Sequence, residues 1–196
     1  MTAGIYLILA IFLVFLNAFF VTAEFAIVKV RATRVQELTQ EGARGALAAQ
    51  EAIRNLDSYL SATQLGITLA SLGLGWIGEP AFAQLIGPPL GALGIWSPAI
   101  VHSIALTAAF AVITFLHIVL GELAPKTVAI RYPEIVVLAV APPLRLLHRV
   151  FYPALRLLDA SSRAFLRPFG ITPTSQGELG HSEEELRLLL AESHRI

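Results

Sequence analysis

Two carboxylates, Glu24 and Glu122, stand near the ends of long apolar runs in this 196-residue chain. A charged side chain at the bilayer centre costs about 2.5–3.5 kcal/mol on insertion scales, so acids at such places pair with something or bind a cation. Around Glu122 the sequence reads Gly121-Glu122-Leu123-Ala124-Pro125-Lys126. Pro125 has no N–H, which leaves the carbonyl of Gly121, four residues earlier, without its helical donor. A freed carbonyl beside a carboxylate suits a hard cation. In lipid, such irregular backbone is tolerated only where it is buried in protein or lines a cavity.

Thr22 and Glu24 in the first apolar run, with Ala23 between them, and Ser61, Thr63, Gln64 and Thr68 in the second offer oxygens at matching depth. Hydroxyls commonly satisfy themselves on the carbonyl four residues back, whereas the Gln64 amide needs a partner within a span. Mg²⁺ takes octahedral oxygen at about 2.0–2.1 Å and keeps several waters, which fits one carboxylate plus neutral oxygens. The same set would hold Ca²⁺, Mn²⁺ or Na⁺. His102 and His117 lie about 22 Å apart along a helix and cannot share a metal; they read as interfacial or hydrogen-bonding side chains. The chain has no cysteine, hence no thiolate ligand or thiol nucleophile. It also lacks an HExxH zinc motif and any usable pairing of a Ser nucleophile with a His base, so an enzyme is not expected.

The elements that must position these groups follow from composition. Hydrophobic residues make up 56% of the chain and charged residues 14%, against roughly 25% charged in a soluble domain. Runs at about 5–29, 58–79 and 98–122 are long enough to cross a hydrocarbon core of about 30 Å. The first is too long for a signal peptide and reads as a retained span. Lys29, Arg31 and Arg34 follow it, which places the N-terminus outside and the C-terminus in the cytoplasm. Val35–Leu56 has the spacing of one surface helix. Pro80, Pro88, Pro89 and Pro98 predict a broken, partly embedded segment outside. Ile135–Leu147 is short and carries Pro142 and Pro143, so 131–168 is expected as a cytoplasmic juxtamembrane belt, a re-entrant or interfacial hairpin lined by Arg145, Arg149, Arg156, Arg163 and Arg167.

The fold class is therefore an all-α membrane protein with a transmembrane module over 1–168. Residues 169–196 read as a linker and the start of a cytoplasmic region, with Ser182 and Glu185 as a capping box. The stripe Ser58, Ala62, Gly66, Ala70, Gly73 is a candidate homodimer surface, because small residues let helices approach closely in lipid. Zero formal net charge and the absence of a basic stripe exclude nucleic acid as a partner.

Three ordered motifs, NAFFVTAEFAIVKV at 17–30, SATQLGITLASLGLG at 61–75 and GELAPKTVA at 121–129, resemble the transmembrane module of the CorC/CNNM (HlyC/CorC-type) family. The resemblance implies a homodimer of three-span protomers in the cell (inner) membrane, with a Mg²⁺ site among the three spans and Mg²⁺ export coupled to Na⁺. Gly121 and Glu122 carry over directly as ion ligands, with Pro125 and Lys126 following as in the family. Val21 and Ala23 stand where relatives often have serine, which leaves the backbone carbonyls of this turn, or Thr22, as substitutes beside Glu24. Gln64 corresponds to an asparagine of some relatives, and Asn17, Ser61 and Thr63 are supporting residues. The acidic exit HSEEELRLLL resembles the lead-in to tandem CBS domains, into which the native chain is expected to continue. The alternative function is a non-transporting membrane regulator or sensor of divalent cations.

Overall fold

A computed structural model describes residues 2–92 and 98–169, and every regular element among them is helical. The order is α1 (Thr2–Lys29), α2 (Ala32–Gln40), α3 (Ala46–Arg54), α4 (Leu56–Ala92), α5 (Pro98–Leu116), a π-helical segment (His117–Leu123), α6 (Ala124–Arg131), α7 (Pro133–Leu166) and a 3-10 turn (Arg167–Phe169). The chain divides into two compact units, Met1–Tyr152 and Pro153–Ile196. Among the described residues, four stretches are long and apolar enough to cross a membrane: Gly4–Lys29, Leu56–Gly78, Ser103–Arg131 and Pro133–Phe169. The fourth falls where the sequence predicts a belt.

In the first unit, α1 and α4 pack along the small-residue stripe of α4. A Cβ on Gly66 would overlap the ring of Phe20, and one on Gly73 would sit 3.3 Å from the Leu13 side chain. Ala62 and Ala70 are buried beside them. With no hydrophobic effect between helices in lipid, such close approach is what gives the pair its dispersion energy. The stripe expected to form a homodimer surface is thus occupied by α1 of the same chain, because the bulky Phe20 and Leu13 complement its small residues. Ser58, at its start, hydrogen-bonds His148 of α7 at 2.7 Å.

Below that pair, a core joins Phe20, Ala23 and Ile27 of α1, Val35 of α2, Ala49 and Ala52 of α3, Tyr59 of α4, and Val137, Ala141 and Leu144 of α7. Polar contacts ring it. Arg34 reaches Glu37 at 2.8 Å and Glu134 at 3.2 Å, and these two acids hold its guanidinium above its ordinary pKa. Glu51 of α3 lies 2.7 Å from Arg145 Nε, an ion pair whose N–H is not aimed along the contact. The Tyr59 hydroxyl donates to the other Glu51 oxygen at 3.2 Å, and the His148 ring stacks on Tyr59 with centroids 4.3 Å apart.

Four sequence expectations are corrected. The single helix over Val35–Leu56 is two, divided by Gly42 and Gly45 with φ of 73° and 83°, a left-handed conformation that only glycine adopts cheaply. The prolines at 80, 88 and 89 do not break the chain, since α4 continues to Ala92; an internal proline removes one hydrogen bond without having to end a helix. The break expected at Pro125 is a π-helical segment instead. Finally, α7 runs unbroken through Pro142 and Pro143, so there is no hairpin. The carbonyl that Pro142 deprives of its donor is that of Leu138, and the Gly45 α-carbon packs directly on it, leaving no room for a Cβ. A Cα–H contact on that oxygen partly replaces the lost hydrogen bond.

In the second unit, α7 finishes at Leu166, and the Phe165 and Phe169 rings lie 5.9 Å apart. The linker and the Ser182-capped helix fall outside the described residues.

Gly45 and Gly42 offer a matched comparison. Gly42→Ala should cost only its left-handed strain, about 1–2 kcal/mol, because nothing lies within 4 Å of its Cβ position. Gly45→Ala adds a collision with the Leu138 carbonyl and should lower the thermal midpoint in detergent clearly further. Equal midpoints for the two variants would refute the packing of α3 on α7.

Candidate metal-ion site

The π-helical segment arises where Pro125 removes a donor and a neighbour supplies one. Its i→i+5 pattern is seen where the Ala124 N–H donates to the Val119 carbonyl. The Gly121 carbonyl instead accepts from Asn17 Nδ2 of α1 at 3.1 Å, in a buried bond linking positions 104 residues apart. Asn17 is fully buried, and the need of the Gly121 carbonyl for a donor fixes the orientation of its amide. The amide oxygen, Oδ1, accepts from the Ser71 hydroxyl of α4 at 3.3 Å. The same hydroxyl lies 3.3 Å from His117 Nε2. Since the one hydroxyl proton is engaged with Asn17, Nε2 is the donor in that contact.

Glu122 completes the junction. Its Oε1 lies 3.9 Å from His117 Nε2, with the carboxylate about half exposed. The two residues are five apart, one π turn, so the segment brings both to one side. Gly121 is buried, and a Cβ there would sit 3.0 Å from the His117 ring and 3.2 Å from Asn17 Nδ2, so glycine is what lets α1 and the imidazole close over the backbone. A cavity of about 180 Å³ opens alongside, lined by Ser71, Thr114 and His117 together with Leu74, Gly75, Phe110 and Ile113. Among the described residues no three His, Asp or Glu side chains cluster. A cation at this junction would be held by a mixed set of carboxylate, amide, hydroxyl, carbonyl and imidazole.

The residues expected from the sequence separate into those gathered here and those elsewhere. Asn17, Gly121 and Glu122 come together, with Asn17 promoted from a supporting role to the hub. Val21 and Glu24 share the helical stripe of Asn17, within about 40° of it, whereas Thr22 points about 140° away. Val21 and Ala23 are buried among apolar neighbours. Glu24, about 10 Å along the stripe from Asn17, lies beside Thr63, whose hydroxyl donates to the Leu60 carbonyl. Ser61 donates to the Asp57 carbonyl. Gln64 is exposed, seven residues before Ser71 on the same side of α4. Pro125 opens α6, and the Lys126 ammonium lies over the Phe25 ring at 4.6 Å.

His117, expected as an interfacial or hydrogen-bonding side chain, does hydrogen-bond Ser71, but its place beside Glu122 is legible in the sequence only through its spacing from Gly121 and Glu122. Ser71 is one hydroxyl among many in α4, and only the crossing with α1 distinguishes it.

Long apolar helices that enclose a polar junction under a carboxylate define a multi-pass membrane protein with a candidate cation site. The chain belongs to the CNNM family: residues 8–196 match the Cyclin M transmembrane N-terminal domain. It is 49% identical over 187 residues to the UPF0053 protein YhdT of Bacillus subtilis, covering 95% of this chain and 40% of that protein. YrkA of the same organism is 46% identical over 189 residues, covering 96% of this chain and 43% of the relative. The UPF0053 protein sll0260 of Synechocystis is 36% identical over 179 residues, covering 91% and 39%. The chain thus spans less than half the length of these relatives.

Replacing Asn17 by Leu keeps the volume and removes the donor. The Gly121 carbonyl then loses its partner, and stability in detergent should fall by about 1 kcal/mol, the scale of interhelical hydrogen bonds in membranes. Asn17→Gln should not rescue it, because its longer side chain does not fit the buried crossing. An unchanged unfolding midpoint for Asn17→Leu would show that the carbonyl is satisfied otherwise.

Proposed function

We propose that this chain is the membrane module of a divalent-cation transporter that carries Mg²⁺ through the junction of α1, α4 and the π-helical segment. The observation that carries the reading is the chain of polar contacts that starts at the Gly121 carbonyl and runs through Asn17, Ser71 and His117 to Glu122 at a helix irregularity. Irregular backbone at membrane depth is tolerated only where protein or a cavity satisfies it, and one carboxylate with neutral oxygens matches the modest charge that Mg²⁺ accepts while retaining water. Export driven by an inward Na⁺ gradient, and a homodimeric assembly, follow from the family resemblance. A junction that binds Mg²⁺ without passing it would make the protein a sensor instead.

Proteoliposomes loaded with a Mg²⁺ indicator test this. The chain should conduct Mg²⁺, faster with an opposing Na⁺ gradient, and Glu122→Gln should reduce both flux and calorimetric Mg²⁺ affinity by about tenfold or more. Flux that survives Glu122→Gln unchanged removes the site from the pathway. Binding without flux in the native chain favours the sensor.

We further infer three crossings, with α7 lying along the cytoplasmic face. The contacts of α7 from Glu134 to His148 go to Arg31 and Arg34, to Gly45 and Glu51, and to the first turn of α4. These polar contacts lie at or beyond the basic end of α1, while the Phe151 ring reaches deeper, to Phe20. A crossing α7 would also draw Arg145 and Arg149 toward hydrocarbon at about 2.5–3.5 kcal/mol each. Cysteines at Arg131 and Ser161 should both resist an impermeant maleimide added outside right-side-out vesicles. Labelling at Ser161 alone would mean a fourth crossing.

A further inference from the structure

Resting on the inference that α7 lies along the cytoplasmic face, we propose that residues 153–169 of the second unit form a membrane anchor selective for acidic phospholipid. Its arginines hold the anionic headgroups of the inner leaflet while its apolar side sinks among the acyl chains. Arg156, Arg163 and Arg167 stand against one acid, Asp159, in this stretch, for a net charge of +2.

The two kinds of residue are sorted around the helix. At 100° per residue, Arg163 falls within about 20° of Arg156, whereas Leu158 and Phe165, themselves seven residues apart, fall about 180–200° from it. Opposite the arginines, therefore, runs an apolar side, and it is uncovered. Leu158 is 51% exposed, Phe165 72%, and Phe169, whose ring lies 5.9 Å from that of Phe165, 67%. Single exposed apolar residues are ordinary. A sustained apolar side backed by a basic one is instead the pattern of helices that lie in the interface plane of a bilayer.

Charge and place together select the occupant. Among the described residues, no acid forms an ion pair with Arg163 or Arg167, and both are exposed. Their planar guanidinium groups match phosphate oxygens two at a time, and long side chains let such heads reach back toward the headgroups while the helix body is sunk. A second copy of the chain would bring the same positive charge to the pairing. A zwitterionic surface offers phosphate without net charge, whereas an acidic one attracts each arginine near it by about fivefold in affinity.

The full chain, which has no cysteine of its own, can carry an environment-sensitive fluorophore on Leu158→Cys in lipid nanodiscs. With about one part in three of phosphatidylglycerol, the label should enter hydrocarbon and be quenched by brominated acyl chains; in phosphatidylcholine alone it should stay largely in water. About 0.5 M salt should reverse the difference, because the attraction is screened. Combining Arg163→Gln with Arg167→Gln should raise the phosphatidylglycerol fraction needed for half-maximal quenching by about threefold or more, with the unfolding midpoint in detergent unchanged. Equal quenching in the two lipids, or a label that stays in water in both, overturns the proposal whether or not the double variant folds. A fluorescence shift without bromine quenching means that protein covers this side, and overturns it too. Labelling of a cysteine at Ser161 from outside right-side-out vesicles instead overturns the topology on which the proposal rests.

Discussion

A backbone carbonyl inside a membrane protein cannot be left to water, and the carbonyl of Gly121 has lost its helical donor to Pro125. The bond from Asn17 Nδ2 at 3.1 Å meets that need, and much of the junction follows from it. Asn17 must be buried on the face of α1 that meets the π-helical segment. Residue 121 must lack a side chain, because the amide and the His117 ring occupy the space. With its nitrogen committed to the carbonyl, the Asn17 amide presents its oxygen to Ser71. That takes the serine proton and leaves the serine lone pairs facing His117 and, beyond it, Glu122. One proline thus organises a chain of polar atoms across three helical elements.

The α1–α4 crossing makes this geometry possible. Gly66 admits the ring of Phe20, three residues after Asn17, and the depth to which that ring sinks sets how near Asn17 comes to Ser71. The same ring stacks at 6.3 Å on Phe151 of α7. Phe20 is therefore shared between the helix pair that builds the junction and the helix that carries the arginines. The ring of contacts from Glu51 through Arg145, Tyr59 and His148 fastens that helix to the start of α4 by an ion pair, a hydrogen bond and a stacked pair. Double-proline insertion in α7 is accommodated within this packing, since Gly45 sits on the Leu138 carbonyl that Pro142 releases.

Along α1 the polar groups form two levels. Asn17 belongs to the junction, and Glu24, about 10 Å nearer the basic end of the helix, lies beside Thr63 of α4. Val21 stands between them on the same stripe, buried and apolar. The upper level has donors from three elements and an adjoining cavity; the lower has a carboxylate and a hydroxyl from two.

The sequence by itself determined the class of the protein and three of the four long apolar stretches found among the described residues, and it marked Gly121–Glu122 as a place where a carbonyl needs a partner, because each rests on local physics: hydrocarbon thickness, side-chain polarity, and a proline that deprives the carbonyl four residues back. It also marked Asn17 as a supporting residue within a motif. What it could not determine were the partners of those groups. Nothing local distinguishes Ser71 from the other hydroxyls of α4, or shows that His117 faces Glu122, since a π turn alters which residues share a side. The fate of each proline likewise depends on neighbours: Pro142 and Pro143 read as a break, yet α7 continues because another helix packs on the carbonyl they release. The small-residue stripe of α4 could have met a second copy or α1, and only the fit of Phe20 and Leu13 against it decided. Local sequence states which groups need a partner. The crossing of helices, set by volumes far apart in the chain, decides which partner each one gets.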